Sequence, residues 1–389
     1  MNMGKIKYGI FSLLAFILLS QPLPAQEKSA GLYPVKVKGK WGYINRQGQI
    51  KVQPQFDYAG DFSDGLAMVG YSTKEPDPVI QGGRIYGYID QNGKIVFKPQ
   101  FRLAENFHEG LARVKMGSKH GFIDKTGKMV IELKSMYASK FSEGLAAVCF
   151  KQSREYENIL GKKGISTIAK WGYIDKTGRY AIDPQFSDAS SFSEGLARVK
   201  LNNKEYFIDK NGKTAIETEG DRVQSFSEGL AAVRLGVVWG FIDKSGKVVV
   251  KPRFQSVRDF HEDLACAMVG NKWGFVDASD RIVINPQYSD CHDFSEGLAA
   301  VYDESEDYYY INKRGEKAFN RSFEYAGKFS GGIAKVTPNQ NMLVIFTIEL
   351  ASALERWING ENKYIMHSYY YSKVGYIQKT GYYLWEPTN

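Results

Sequence analysis

The sequence predicts an all-β fold built from tandem repeats, because two short motifs recur in step along most of the chain. The first motif is Phe-Ser-Glu-Gly-Leu-Ala at residues 192–197. The second is Trp-Gly-aromatic-Ile-Asp, which is intact at residues 171–175 and 239–243. Close copies of the first motif begin at Phe62, Phe107, Phe141, Phe226, Phe260, Phe294 and Phe329. The shortest spacing between copies is 34 residues, which predicts one small structural unit per repeat, stacked on its neighbours.

Residues 1–25 predict a cleaved secretory signal. Lys5 and Lys7 precede an apolar run over residues 8–19, and small Ala25 is followed by polar residues, which is the pattern of a signal peptide. The run is shorter than the roughly 20 apolar residues that span a bilayer. We therefore expect an exported protein, periplasmic or extracellular, with no membrane insertion after signal cleavage.

The charge pattern argues against a nucleic-acid partner. The formal net charge is +8, but the basic residues are dispersed at turn positions such as Lys125, Lys176 and Lys210, with acids between them. A nucleic-acid interface concentrates its basic residues on one face. We therefore expect no binding of nucleic acid.

The three cysteines, Cys149, Cys266 and Cys291, form no CxxC or Cys/His cluster, so they do not indicate a metal site. Cys266 and Cys291 occupy positions at which other repeats have Ala. We expect all three to be small, partly buried apolar residues rather than partners in a disulfide.

Each repeat is expected to be a three-stranded antiparallel meander. In the repeat at residues 229–254, stretches rich in β-branched and aromatic residues fall near residues 230–235, 238–243 and 248–251, which is typical of strands. The sequence Asp-Lys-Ser-Gly at residues 243–246 predicts a hairpin between the second and third strands, with a type I turn and a left-handed Gly. The first and second strands are joined by an equally short connection in most repeats.

The end of each third strand is marked by Pro, as at Pro184 and Pro252. Because Pro has no N–H to donate to a sheet, we expect strand pairing to stop there. An aromatic residue such as Phe254 and the Phe of the first motif follow, and they are expected to fill the space between neighbouring meanders. The Gly of Trp-Gly is expected to allow close approach of another backbone or an aromatic ring.

Nine units are counted in a single domain at residues 33–389, with insertions near residues 72–84, 151–169 and 337–372. The first two insertions fall between first and second strands and should project from one edge. In the third, helical spacing predicts one short helix, carried by Leu350, Leu354, Trp357 and Ile358. Closed propellers usually have four to eight blades, so nine units favour an open, curved, solenoid-like array, with a β-propeller as the alternative.

The sequence Lys-Trp-Gly-Tyr-Ile-Asp-Lys-Thr-Gly at residues 170–178, followed by Asp-Pro-Gln-Phe at residues 183–186, resembles the WG-repeat family. The resemblance covers roughly residues 36–336, with a weak last unit near residues 374–384. It implies a β-rich, mostly bacterial and often exported protein. It implies no established reaction and no catalytic residues.

Three groups of side chains are candidates for a site. The first motif carries a row of acids at Asp64, Glu109, Glu143, Glu194, Glu228, Glu262 and Glu296. This row could bind cations or sugars, but we favour solvated turns in which each acid caps local N–H groups. The second motif carries a row of aromatics at Trp171, Tyr173, Trp239, Phe241, Trp273 and Phe275. These could stack on sugars, but their alternation favours core packing. The histidines are His108, His120, His261, His292 and His367, and they match no catalytic arrangement.

The favoured hypothesis is a non-enzymatic exported scaffold that binds a protein or an envelope polymer, such as a cell-envelope glycan, through an edge or its insertions. The alternative is a carbohydrate-active enzyme or glycan-binding module, for which a deep cleft with one strongly perturbed carboxylate would be diagnostic. A purely structural spacer is a third hypothesis. We expect no catalytic residue, no metal ligand and no cofactor, and the sequence leaves the binding residues open.

Overall fold

A computed structural model describes residues 31–73, 83–134, 137–157, 163–338, 375–379 and 383–385. These residues form β-strands, turns and irregular segments, which confirms the all-β prediction. None of the described residues belongs to a helix that is long and apolar enough to span a membrane. The predicted signal sequence and the short helix expected near Leu350 and Ile358 lie outside the described residues.

The strands are numbered in chain order and grouped into nine repeat units. Units 1 to 3 contain β1 (Leu32–Val37), β2 (Lys40–Asn45), β3 (Ile50–Phe56), β4 (Tyr58–Ser63), β5 (Leu66–Ser72), β6 (Arg84–Asp90), β7 (Ile95–Phe101), β8 (Leu103–Ala104), β9 (Leu111–Met116), β10 (Lys119–Asp124) and β11 (Met129–Leu133). Units 4 to 6 contain β12 (Leu145–Glu157), β13 (Lys163–Asp175), β14 (Tyr180–Phe186), β15 (Asp188–Ala189), β16 (Ala197–Leu201), β17 (Lys204–Ile208), β18 (Thr214–Ile216), β19 (Arg222–Val223), β20 (Leu230–Leu235), β21 (Val238–Asp243) and β22 (Val248–Phe254). Units 7 to 9 contain β23 (Ser256–Val257), β24 (Leu264–Val269), β25 (Lys272–Asp277), β26 (Ile282–Tyr288), β27 (Asp290–Cys291), β28 (Leu298–Asp303), β29 (Asp307–Asn312), β30 (Phe323–Ser330), β31 (Ile333–Pro338), β32 (Gly375–Gln378) and β33 (Tyr383–Trp385).

Within each sheet, strands that are adjacent in sequence pair in antiparallel fashion, as the meander prediction requires. Most sheets gain one further strand that the sequence analysis missed. This strand is only two residues long in β23, where Ser256 pairs with Met268 and Val257 with Ala267. It comes from the connector between units, and its shortness explains why no residue pattern marked it.

The hairpin between second and third strands has the predicted turn. In unit 6 the carboxylate of Asp243 accepts hydrogen bonds from the backbone N–H groups of Ser245 at 2.9 Å and Lys247 at 3.1 Å. Gly246 adopts φ = 83°, which is the left-handed region that glycine enters without strain. The turn prediction is confirmed.

The second residue of Trp-Gly has to be Gly because the backbone of the third strand passes close to its Cα, as expected. A Cβ placed on Gly240 would lie 2.4 Å from the carbonyl oxygen of Val250 and 2.6 Å from the nitrogen of Pro252. The third strand bulges at this point, because Phe241 pairs with Val250 while Trp239, two residues earlier, pairs with Phe254. No side chain larger than hydrogen fits under this crossing.

The same bulge corrects the prediction that pairing stops at Pro. Pro252 lies inside β22, and pairing resumes at Phe254 beyond it. The bulge places Pro where no ladder hydrogen bond is made, so its missing N–H is harmless.

The core lies between consecutive units, as predicted. The Phe of the first motif packs against the aromatic residue of the second motif in the preceding unit, with ring centroids 4.7 Å apart for Phe260 and Phe241. Such aromatic pairs contribute about 0.5–1.5 kcal/mol beyond the area they bury. The equivalent pairs are Tyr43–Phe62, Tyr88–Phe107, Phe122–Phe141, Tyr173–Phe192, Phe207–Phe226, Phe275–Phe294 and Tyr310–Phe329.

The first and last sheets are in contact, at a place that we call the seam. Ile333 of β31 packs with Val35 of β1 and Ile44 of β2, and the Tyr33 hydroxyl donates a hydrogen bond to the Ser330 carbonyl at 3.4 Å. The architecture is therefore a β-propeller of eight small sheets, and the favoured open array was wrong.

The count of repeats overstated the number of sheets. Units 8 and 9 share one seven-stranded sheet, which is joined by the pair Tyr308 and Phe323. Nine units therefore close as eight sheets, within the usual range for propellers. The weak last repeat is part of this sheet, since Gly375 of β32 pairs with Val336 of β31.

The insertion near residues 151–169 extends the hairpin of β12 and β13, which are 13 residues long each. It falls between first and second strands, as predicted. Residues 74–82 of the first insertion and residues 339–372 of the third lie outside the described part of the chain.

The cysteine prediction was wrong for two of the three residues. Cys266 in β24 and Cys291 in β27 form a disulfide between units 7 and 8, whereas Cys149 is free and buried. Each of these Cys residues stands where other units have Ala, and the two positions face each other in neighbouring units. Their separation of 25 residues in the sequence does not reveal this contact.

Gly178→Val should lower the free energy of unfolding by about 1–3 kcal/mol, as expected for a strained backbone position. Gly178 adopts φ = 83°, and an added Cβ would lie 3.1 Å from a methyl group of Ile131. Gly178→Asn is the control and should cost less, because Asn tolerates this region and Asp280 occupies the equivalent turn position at φ = 63°. Urea denaturation measures both variants, and equal midpoints for Val and Gly would contradict the turn geometry.

Candidate functional site

The acids of the first motif lie in two-residue hairpin turns. Ser193 and Leu196 exchange backbone hydrogen bonds of 2.8 and 3.1 Å, and the residues between them, Glu194 and Gly195, have φ of 54° and 86°. Two consecutive left-handed residues define a type I′ turn. A Glu in this conformation is unusual, and it recurs at each acid of the row.

Each carboxylate reaches the turn of the next unit rather than its own. Glu194 accepts a hydrogen bond from the N–H of Gly229 at 3.0 Å and lies 3.1 Å from the ammonium group of Lys244. The same pair of contacts recurs as Glu109 with Gly144 and Lys176, Glu143 with Gly195 and Lys210, Glu262 with Gly297 and Lys313, and Glu296 with Gly332 and Lys379. The expected capping of N–H groups is therefore present, but it joins units instead of acting locally.

These contacts also explain the pKa values of two acids. Burial alone would raise the pKa of Glu109, but hydrogen bonds from Lys176 and from the Gly144 N–H outweigh it and lower the pKa. The pKa of Glu296 is lowered in the same way, by the N–H groups of Gly332 and Gly331 acting against burial. Both acids are therefore held in the charged form by the neighbouring unit.

Three junctions depart from this pattern. Asp64 accepts a hydrogen bond from the N–H of Gly110 at 2.7 Å but makes no ion pair with a Lys of the described residues. Glu228 accepts from the N–H groups of Glu262 at 2.6 Å and Asp263 at 2.8 Å, and Ala278 stands where other units have Lys. At the seam, Gly331 occupies the position of the acid. A Cβ on Gly331 would lie 2.7 Å from the guanidinium of Arg46, so the seam has a cation but no carboxylate from unit 9.

Metal binding by the acid row finds no support in the geometry. Over the described ranges, no group of three or more His, Cys, Asp or Glu residues is arranged to hold a metal ion. The carboxylates instead accept N–H groups and ammonium groups of the next unit.

The aromatic row is mostly core. Tyr173, Phe241 and Phe275 are fully buried, and Trp273 is 8% exposed. The other two residues of the row, Trp171 and Trp239, are half-buried. Both pack against core clusters, so the interpretation of the row as core packing is confirmed.

The histidines occupy separate places. His108 and His261 stand where a Ser in other units donates its hydroxyl to the Phe carbonyl of the next unit, as Ser193 does to Phe226 at 2.7 Å. His261 lies 3.5 Å from Asp293. His292 packs near Tyr308. His120 lies in β10, and His367 lies outside the described residues.

Two adjoining hollows lie beside the seam and share Tyr58 and Asn106. We call them together the seam concavity. The smaller hollow has a volume of about 260 Å³ and is lined by Pro34, Trp41, Tyr58, Ala59, Gly60, Asp61, Asn106 and Lys335. The larger has a volume of about 430 Å³ and is lined by Tyr58, Met68, Ala104, Glu105, Asn106, His108, Ala138, Ser139 and Lys140. Together they bring side chains of units 9, 1, 2, 3 and 4 to one place.

Two cations lie near Trp41, one of the residues that line the smaller hollow. The ammonium groups of Lys36 and Lys335 lie 5.9 and 5.8 Å from the ring centroid of Trp41, which is cation–π range. Tyr58 stacks edge to face on Tyr86 at 5.8 Å. Burial, with the nearby Tyr86 and Asp61, raises the pKa of Tyr58, so its hydroxyl is a hydrogen-bond donor at neutral pH.

The larger hollow has a more balanced charge. Glu105 forms an ion pair with Arg113, and its backbone carbonyl accepts a hydrogen bond from the Tyr88 hydroxyl at 2.6 Å. Burial lowers the pKa of His108, and Lys140 lowers it further against the opposing effect of nearby acids. His108 is therefore neutral at pH 7 and offers one donor and one acceptor.

One perturbed carboxylate lies elsewhere. Burial and the neighbouring Asp293 raise the pKa of Asp259, while His261 acts against them. Asp259 lines neither hollow of the seam concavity. A glycosidase would have a cleft and a perturbed carboxylate at the same place. Here the perturbed carboxylate, Asp259, lies outside the seam concavity.

Sequence reasoning did not find the seam concavity. Trp41 was visible as a copy of the second motif, but its neighbour Lys335 is almost 300 residues away. No pattern in the sequence marks this contact, because it forms only where the last unit meets the first.

Comparison with known proteins agrees with the repeat pattern. A family model described as "WG containing repeat" matches residues 41–70, 86–119, 121–152, 171–204, 207–236, 239–273 and 273–304. These stretches make up more than half of the chain. No curated protein is significantly similar to the chain in sequence.

Similar solved structures include KlHsv2 with loop 6CD replaced by a Gly-Ser linker, at 8% identity and a TM-score of 0.38, over 73% of this chain and 95% of that one. The Neurospora crassa Pan2 WD40 domain has 14% identity and a TM-score of 0.31, over 66% and 88%. The extracellular domain of a hybrid two-component system from B. thetaiotaomicron has 10% identity and a TM-score of 0.31, over 80% and 46%. These likenesses are too weak to bear on the fold or function of this chain.

The ion pair between Glu194 and Lys244 should couple two adjacent units. In a double-mutant cycle of Glu194→Gln and Lys244→Met, we expect a coupling free energy of about 0.2–1 kcal/mol, the range for partly exposed pairs. The control cycle replaces Lys244→Met by Lys247→Met, in the same turn, and should show no coupling. Urea denaturation in low salt measures both cycles. Strict additivity for Glu194 and Lys244 would refute the contact between units.

Proposed function

Because the chain belongs to the family of WG-containing repeat proteins, whose repeats bury their cores against each other, we propose that it is a non-enzymatic, exported repeat scaffold. Its ligand is a polymer of the cell envelope, held in the seam concavity. The observation that carries this proposal is the convergence of side chains from five units on one concave surface.

The size and lining of the seam concavity support a polymer chain as ligand. Hollows of about 430 and 260 Å³ accommodate a few sugar rings, whereas a typical protein partner buries about 800 Å² on a broad surface. Trp41 and Tyr58 offer aromatic faces, and Asn106 joins the two hollows with a side chain that both donates and accepts hydrogen bonds.

The lining supports binding rather than hydrolysis. A glycosidase needs two carboxylic acids in one cleft, in different environments. Glu105 is neutralised by Arg113, and Asp61 is exposed. No pair of lining carboxylates is therefore set up for acid and base roles.

Export is supported by two features. The signal-like pattern of residues 1–25 is one, and the disulfide between Cys266 and Cys291 is the other, because disulfides persist mainly in oxidising compartments outside the cytosol. N-terminal sequencing of the native protein tests this part. We expect a mature N-terminus near Gln26 in the periplasmic or culture fraction, and an intact Met1 in the cytosol would contradict export.

Binding is tested by retention of the purified native protein on isolated insoluble cell envelope. Tyr58→Ala should reduce the affinity at least about fivefold, because truncating an aromatic anchor typically costs more than 1 kcal/mol. Tyr180→Ala is the matched control, since Tyr180 is 47% exposed on β14 and away from the seam concavity.

The control variant should bind as well as the native protein. Because Tyr58→Ala also removes the contact with Tyr86, binding is measured at a temperature at which both variants are folded. Equal retention of Tyr58→Ala and native protein would overturn the assignment of the seam concavity. Retention that survives digestion of the envelope polymers but not of its proteins would show that the partner is a protein.

A further inference from the structure

We propose that the seam concavity takes an anionic saccharide, with its acidic group between the ammonium groups of Lys36 and Lys335 and a sugar ring on Trp41. This inference rests on the proposed function and adds the chemical class of the ligand. It depends on a set of contacts that forms only where the last unit meets the first.

The two cations are positioned by different parts of the fold. Lys36 lies directly across the β1–β2 ladder from Trp41, so its side chain lies beside the indole. Lys335 comes from β31 and reaches the same ring from unit 9, at 5.8 Å from the centroid. Two positive charges are therefore held near one aromatic ring, Lys36 by strand pairing and Lys335 by closure of the seam.

Neither cation is used by the fold as an ion-pair partner. Among the described residues, Lys36 and Lys335 form no ion pair with a carboxylate, although both are exposed. The nearby Lys40, by contrast, contacts Asp57 at 2.6 Å, and Lys379 of the last sheet contacts Glu296 at 3.3 Å. The two lysines at Trp41 are thus available to an anion from solution.

The seam carries one further cation, at the opposite end of the same strands. Every other copy of the first motif carries a carboxylate at this position, but unit 9 has Gly331. Arg46 reaches that position from unit 1. Arg46 lies about 16 Å along the strand from Trp41, so only Lys36 and Lys335 lie at the indole. Arg46 adds to the positive field of the seam, which attracts negatively charged ligands.

The remaining lining favours a saccharide over a small inorganic anion. Asp61 and Asn106 line the same hollow as Trp41 and Tyr58, and they provide acceptors and donors for sugar hydroxyl groups. A free phosphate would use the cations but not the aromatic faces. A saccharide that carries a carboxylate or phosphate uses both.

Isothermal titration of the native protein at 0.15 M salt tests the inference with three probes. Trigalacturonic acid supplies carboxylates, mannose 6-phosphate supplies a phosphate, and maltotriose is neutral. We expect trigalacturonic acid or mannose 6-phosphate to bind at least tenfold more tightly than maltotriose. The anionic probe that binds identifies the acidic group.

The double variant Lys36→Gln/Lys335→Gln should weaken binding of the anionic probe at least tenfold. The matched control is Lys51→Gln/Lys98→Gln, which removes two exposed lysines from β3 and β7 and lowers the net charge by the same amount as the test variant. It should bind as the native protein does. Equal losses in the two double variants would show general charge attraction and would overturn the site.

The outcomes separate this inference from the proposed function. Equal binding of maltotriose and the anionic probes, sensitive to Tyr58→Ala, would overturn the anionic class and keep the polymer-binding scaffold. Binding of inorganic phosphate as tight as that of the anionic probes would overturn the saccharide. No binding of any probe, together with envelope retention that is insensitive to Tyr58→Ala, would overturn both proposals.

Discussion

The contact between consecutive units is the interaction on which the whole structure depends, and one short motif makes most of it. Phe192 packs back onto Tyr173 of the preceding unit, while Ser193 and Glu194 bond forward to unit 6. The left-handed turn at Glu194 and Gly195 directs both polar side chains forward. Because a single meander leaves its apolar faces uncovered, each unit is stable only between neighbours.

The seam is where this pattern changes, and the candidate site lies at the same place. Gly331 replaces the acid, so closure depends on the small apolar cluster around Ile333 and on the hydrogen bond from Tyr33 to Ser330. An array of identical junctions would offer no distinctive surface. The missing carboxylate leaves Arg46 facing Gly331 at one end of these strands, and the smaller hollow forms near their other end, where Trp41 meets Lys335.

For the acids and the aromatics of the two motifs, the sequence showed the correct repeat pattern but did not decide what the acids contact. Their periodicity was plain in the sequence, and it placed Phe241 in the core correctly. The role of Glu194 depended on what lies opposite it, and the partners are an N–H and an ammonium group of the next unit. Periodicity tells which face a residue shares with its copies, but the chemistry of that face is set by the neighbouring unit.

The sequence by itself determined the all-β class, the repeat unit, the hairpin turn at Asp243 and Gly246 and the need for Gly240, because these follow from local backbone conformation and steric limits. The tertiary structure alone decided the closure into eight sheets, the Cys266–Cys291 disulfide, the partners of the acids and the seam concavity. Each of these is a contact between units, separated by about 25 to 300 residues. Local propensities carry no information about which distant residues meet, since that depends on how the small rotation at each junction accumulates around the ring.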